Sequence, residues 1–184
     1  MQLVILDRDG VINEDSEHFI KSPQEWRPLP GSLEAVARLN KAGLHVIVIT
    51  NQSGLARGLF DATTLAAIHE KMNRELLRRG GRIDAVYYCP HGPDDDCNCR
   101  KPRTGLFKEL SRRLRTGLEG VPAIGDSLRD LQAAQAAGAR PILVRTGKGR
   151  ETEQDTAALA QAGLENVEIY DDLAAAVDYL LTGS

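Results

Sequence analysis

The sequence predicts a three-layer α/β/α fold, with a central parallel sheet between two layers of helices. Three observations carry this expectation. Short apolar runs bounded by turn residues recur along the chain, as at Leu3-Val4-Ile5-Leu6 and Val121-Pro122-Ala123-Ile124, and such runs read as buried strands. Segments of helical character with start and stop residues separate them, the strand–crossover–strand order of a parallel sheet. Polar residues suited to chemistry follow the runs directly, and open α/β sheets bind ligands at the carboxyl ends of their strands.

The first strand covers residues 3–6 and gives way to a polar loop over 10–30. Ser32 is a suitable cap for a helix through Asn40, with Gly43 just beyond its end. A second strand follows at 44–50, and Asp61 then caps a longer helix that stops at Gly80-Gly81. Residues 83–88 read as a strand, 104–115 as a helix, 121–124 as a strand and 128–137 as a helix stopped by Gly138. A strand at 141–144, a helix near 153–162, a short strand at 167–170 and a last helix near 171–181 complete the order. With no internal repeat or linker, the 184 residues read as one domain, a length that can bury a substantial core.

Composition excludes some classes. The formal net charge of -3 argues against a nucleic-acid binder, because phosphate backbones reward a basic surface. No apolar stretch is long enough to span a bilayer, and the N-terminus lacks a signal-type core, so the expectation is a cytoplasmic protein without a membrane partner.

The first strand ends in Asp7-Arg8-Asp9-Gly10, with two carboxylates two residues apart. Alternation along an extended backbone sends both to the same side. Adjacent anions are costly unless a cation joins them or one holds a proton. Such a pair suits an Asp nucleophile beside an Asp acid–base, around a hard metal ion; the bland alternative is a strand ending in a polar turn. Gly125-Asp126-Ser127-Leu128-Arg129-Asp130 puts a third carboxylate at the same sheet edge. Mg²⁺ prefers oxygen ligands and usually takes one or two carboxylates plus a substrate phosphate. Between these sites, Thr50-Asn51-Gln52-Ser53 ends a strand in hydroxyl and amide groups, and Arg100-Lys101 supplies cations before a helix.

Every cysteine of the chain lies in one loop: Cys89-Pro90-His91 and Cys97-Asn98-Cys99. Three thiols and an imidazole supply the four ligands of a structural zinc site. An odd cysteine count and the expected compartment oppose a disulfide. Cys99 directly precedes Arg100 and Lys101, so a metal anchor there would reduce the entropy cost of fixing those cations. Asp94-Asp95-Asp96 reads as the solvated tip of the loop.

Asp-x-Asp, strand-Thr-Asn, Lys and Gly-Asp-x-x-x-Asp, in this order, resemble the haloacid dehalogenase superfamily of aspartyl-phosphate phosphatases. That resemblance implies a Rossmann-like core, Asp7 as nucleophile, Asp9 as acid–base, and Thr50 and Lys101 as stabilisers of the phosphoryl group. Mg²⁺ would be held by Asp7, Asp126 and the Asp9 carbonyl, with Asp130 in support. The stretch after the first motif is only about 20 residues, and the one between the second and third motifs is taken up by a helix, a strand and the cysteine loop, so the resemblance points to members without a large cap domain. The zinc loop and Val144-Arg145-Thr146-Gly147-Lys148 narrow the resemblance to the D-glycero-D-manno-heptose 1,7-bisphosphate 7-phosphatases, over essentially the whole chain.

The narrower resemblance implies removal of the 7-phosphate from the β-anomer of a heptose bisphosphate, in the synthesis of nucleotide-activated heptose for bacterial surface polysaccharide. It carries Arg8, Asp15, Ser16, Glu17, His18, Asn51, Gln52, Ser53 and Arg100 over as substrate contacts, and a monomer as the expected state. Ser127, also placed among these contacts, stands where some members carry Lys. Three alternatives stay open: the α-anomer, a histidinol-phosphate phosphatase with the same zinc loop, and a zinc-stabilised binding protein with an inert fold. His45, His69 and the Arg-rich stretch 112–115 read as structural or solvated, and Trp26 as packing under the loop that follows Asp9.

Overall fold

The computed structural model describes residues 2–183. Six parallel strands form one sheet: β1 (Leu3–Leu6), β2 (His45–Asn51), β3 (Ala85–Cys89), β4 (Pro122–Gly125), β5 (Arg140–Val144) and β6 (Glu168–Tyr170), in the spatial order β3-β2-β1-β4-β5-β6. The helices are α1 (Ser32–Lys41), α2 (Ala62–Leu77), α3 (Gly105–Leu114), α4 (Leu128–Ala136), α5 (Gly149–Gln154), α6 (Thr156–Gln161) and α7 (Leu173–Thr182).

Strand alternation divides the core between two faces. Val4 and Leu6 of β1, with Val46 and Val48 of β2, pack under α1, α2 and α7 through Leu33, Val36, Leu39, Ile68, Met72, Leu76 and Val177. Leu3, Ile5, Ile47 and Ile49 point the other way, against Phe107 and Leu110 of α3 and Ala133 and Ala134 of α4. Both faces of the central strands are covered, so their sequence is continuously apolar instead of alternating. Trp26, itself part of the 10–30 loop, is fully buried in the first of these clusters with Val11, Ile12 and Ile20 of the same loop.

The chain winds outward from β1 to β2 and β3, then returns to place β4 on the other side of β1. The order therefore reverses between β1 and β4, and a crevice opens beyond their carboxyl ends. Asp7 follows β1, and Asp126 follows β4.

Asp61 caps α2 as its sequence suggests, accepting from the Thr64 N–H. The cap of α1 differs: Gly31, at φ 76°, precedes the helix, and Ser32 is its first residue. The Ser32 hydroxyl instead donates to the carbonyls of Ile12 and Leu29, tying the helix to the loop after β1. The single helix expected near 153–162 is two, α5 and α6, broken at Asp155, whose carboxylate accepts from the Ala158 N–H and starts the second.

Candidate active site

Four chain segments converge on the crevice. Lys101, only 3% exposed, stands at its centre: its ammonium lies 3.1 Å from Asp7 Oδ1 and 2.7 Å from Asp130 Oδ1, and donates to the Ile49 carbonyl at 2.8 Å. Asn51 fixes the same residue from behind, accepting from the Lys101 N–H at 3.0 Å and donating to its carbonyl at 3.2 Å. Asp130 also accepts from the N–H and hydroxyl of Ser127, which starts α4.

Asp7, Asp126 and Asp130 have carboxylate oxygens within 4.8 Å of one another, with one lysine among them. Burial, reinforced by Asp130 and Asp9, raises Asp7 to about 7 against the pull of Lys101. Burial, then Asp130 and Asp7, raises Asp126 to about 9. Three carboxylates with so little compensating charge form a donor set suited to a hard divalent cation. The backbone is shaped around this cluster. A Cβ on Gly10 (φ 82°) or Gly147 (φ 55°) would lie 2.1 Å from Asp126 Oδ2, and Asp126 Oδ2 accepts from the Lys148 N–H at 2.8 Å.

Asp9 faces a different set of partners. Its carboxylate accepts from Arg8 Nε at 2.9 Å, Asn13 Nδ2 at 2.9 Å and Gln52 Nε2 at 3.0 Å. Burial works to raise Asp9, but the Arg8 charge and these hydrogen bonds outweigh it and hold the carboxyl below its ordinary value. Gln52 Nε2 also donates to Thr50 Oγ1 at 3.0 Å, which directs the Thr50 hydroxyl hydrogen elsewhere.

The cysteine loop brings its three thiols and His91 together. His91 Nδ1 lies 3.6 Å from Cys89 Sγ and 3.3 Å from Cys99 Sγ, and Cys89 Sγ is 3.8 Å from Cys97 Sγ and 2.9 Å from Cys99 Sγ. All three thiols are free, and one donor atom from each of the four residues lies within 4.8 Å of the others. Three soft sulfurs and an imidazole suit tetrahedral zinc. The Arg100 guanidinium, which donates to the His91 carbonyl at 3.3 Å, is thereby linked to the cluster.

A cleft of about 340 Å³ opens over the crevice, lined by Asp7, Asp9, Asp15, Ser16, Glu17, Thr50, Asn51, Gln52, Ser53, Arg100, Lys101, Asp126, Ser127 and Asp130. Two expected contacts are not brought there. Arg8 is fully buried, with its guanidinium committed to Asp9, Gln52 and His69 and its N–H to Asp7. His18 is exposed outside the lining; Phe19 and Ile20 occupy the wall instead. The side-chain amides of Asn51 and Gln52 reach the lining already bonded to Lys101, Asp9 and Thr50. Arg57, Arg129 and Lys148, none of them among the expected contacts, also line the cleft; Lys148 belongs to the 144–148 segment that carries the resemblance. Lys148 lies 3.5 Å from Asp15, whereas Arg57, Arg100 and Arg129 have no carboxylate at ion-pair distance among the described residues. Burial, then the charges of Arg129 and Arg57, lower Arg100. No local pattern marks Arg57 and Arg129 as functional; folding alone converges them.

This architecture and acidic crevice define a hydrolase of the haloacid dehalogenase-like class, and the HAD-hydrolase-like family profile matches residues 98–176. A protein of Bordetella bronchiseptica named D-glycero-β-D-manno-heptose-1,7-bisphosphate 7-phosphatase is 58% identical over 182 residues, 98% of each chain. One of the same name from Pseudomonas putida is 50% identical, covering 95% of this chain and 97% of its own. The crystal structure of D,D-heptose 1,7-bisphosphate phosphatase from B. bronchiseptica, complexed with magnesium and phosphate, superposes with a TM-score of 0.93 at 57% identity over 100% of both chains. The chain belongs to the D-glycero-β-D-manno-heptose-1,7-bisphosphate 7-phosphatase family.

Proposed function

We propose that this chain hydrolyses the 7-phosphate of D-glycero-β-D-manno-heptose 1,7-bisphosphate to heptose 1-phosphate and inorganic phosphate, in the synthesis of nucleotide-activated heptose for lipopolysaccharide. The observation that carries the reading is the Asp7–Lys101–Asp130 arrangement beside Asp126 at the β1/β4 reversal, in a chain with near full-length relatives of that name.

Asp7 and Asp126, with the Asp9 carbonyl, would hold Mg²⁺, which supplies charge neutralisation to the bound phosphate. Asp7 attacks phosphorus in line; the bond to Asp7 forms as the bond to the sugar O7 breaks. The Lys101 ammonium and the Thr50 hydroxyl steady the equatorial oxygens. Asp9 gives its proton to the departing O7. A water then attacks the aspartyl-phosphate, Asp9 takes the proton of that water, and phosphate leaves with the Asp7 carboxylate restored. Arg8, Asn13 and Gln52 favour the ionised, basic form of Asp9; a phosphate dianion seated beside it shifts the balance toward the protonated, acidic form.

The primary 7-phosphate reaches Asp7 on the flexible end of the sugar, while the ring and 1-phosphate stay at the cleft mouth. There Arg57, Arg100 and Arg129 offer rigid donor forks to the second phosphate. A panel of both heptose bisphosphate anomers, histidinol phosphate and fructose bisphosphate, read as phosphate release, tests the assignment. The β-anomer is expected to have the highest kcat/KM; faster turnover of histidinol phosphate would overturn it.

The cysteine cluster is read as structural zinc, and the protein as a cytoplasmic monomer. Protein purified without chelator is expected to carry about one zinc per chain by elemental analysis. Cys97→Ala, which removes a ligand but none of the catalytic groups, is expected to lower the zinc content and to reduce kcat/KM by misplacing Arg100 and Lys101. Zinc-free protein with full activity would contradict this role.

A further inference from the structure

Behind Asp9 lies a half-buried polar contact that the proposed chemistry leaves unused. The Arg8 guanidinium, 0% exposed, presents Nε and Nη2 to Asp9, at 2.9 and 3.2 Å, and Nη2 also reaches Gln52 Oε1 at 3.3 Å. Its remaining nitrogen, Nη1, lies 3.1 Å from Nε2 of His69 on α2. Arginine has no acceptor and does not lose its proton, so the imidazole must accept at Nε2 and carry its own hydrogen on Nδ1. Burial, then the Arg8 charge, lowers His69 to about 4 against an opposing effect of Asp9, which keeps the ring neutral through the physiological range. The Tyr88 ring from β3 flanks it, with centroids 6.5 Å apart.

We propose that His69 is a positioning residue for the reaction: as a neutral acceptor it fixes the Arg8 guanidinium, which in turn orients the Asp9 carboxylate. Asp9, Gln52 and His69 together bond three sides of one planar cation that is itself fully buried, so the fork cannot tilt without losing a hydrogen bond. A small misplacement of a proton-transfer group is costly to the rate and has little effect on substrate affinity, which other residues supply. The inference rests on the reading of Asp9 as the acid–base group.

The test compares His69→Leu with His69→Gln, whose side-chain oxygen is as many bonds from Cα as Nε2. His69→Leu is expected to lower kcat on the heptose bisphosphate about tenfold with KM nearly unchanged, and His69→Gln to stay within about threefold of the parent. Wild-type kcat in His69→Leu, or equal losses in the two variants, would overturn the proposal. Nitrogen-15 NMR of the unaltered protein reads the same contact without any variant. A protonated Nδ1 and bare Nε2 at neutral pH are expected, and the opposite tautomer would overturn the proposal even if His69→Leu failed to fold. Full activity in Asp9→Asn would instead remove the underlying reading, and is distinguishable because the tautomer of His69 would be unaffected.

Discussion

Asp7→Asn is expected to reduce turnover to background while leaving the fold intact. The amide has almost the shape of the carboxylate but is no nucleophile toward a phosphate ester, so the proposed covalent step is lost. Losses on the order of 10⁴-fold or more accompany removal of a covalent nucleophile. Stability should change little. Burial raises Asp7 to about 7, so its charge is held at a cost, and Lys101 keeps Asp130 at 2.7 Å when Asp7 is neutralised. Beryllofluoride, which mimics a phosphoryl group on a carboxylate, should protect the parent against thermal unfolding and fail to protect the variant. Near-normal phosphate release by Asp7→Asn would end the aspartyl-phosphate mechanism.

Lys101→Met is expected to damage both stability and chemistry. The lysine is 3% exposed and lies between two buried carboxylates, so its removal leaves Asp7 and Asp130 without their shared cation. Breaking a buried charged contact from one side typically costs about 3–5 kcal/mol, most of it from the orphaned partner. In the proposed mechanism the same change also withdraws a positive charge from the transferring phosphoryl group, for an expected loss of about 10²–10³ in kcat. Lys101→Arg should not restore activity, because Ile49, Asp7 and Asp130 close around a single ammonium nitrogen, too small a space for a guanidinium. Urea unfolding beside phosphate-release kinetics checks both effects. A Lys101→Met protein as stable and active as the parent would contradict the site as described.

Much of the fold was legible because its strands are short, apolar and bounded by turn chemistry. β1 and β4 are read from four-residue runs, and Asp61 announces α2 by a cap that the structure retains. Ser32 misled because a serine before an apolar run suits a cap, whereas its hydroxyl is drawn to Ile12 and Leu29 by contacts distant in sequence. The break at Asp155 is not legible in the sequence, because the helical pattern runs through it.

In the crevice, Asp7, Asp9, Lys101 and Asp126 follow strands or precede a helix, so motif spacing locates them. Their bonding is not legible. That Asn51 clamps the Lys101 backbone, and that Arg8 turns inward between two acids, depends on tertiary partners up to 61 positions away. The rim arginines illustrate the same limit: Arg57 and Arg129 come together only because β2 and β4 flank β1.

The proposed reaction removes one particular phosphate from one particular sugar. Phosphorus NMR of the protein turning over D-glycero-β-D-manno-heptose 1,7-bisphosphate with Mg²⁺ measures this directly. The 7-phosphate resonance is expected to disappear as inorganic phosphate grows in equal amount, while the 1-phosphate resonance persists. Loss of the 1-phosphate first, or no release from this substrate under conditions where another phosphate ester is hydrolysed, would contradict the proposed reaction.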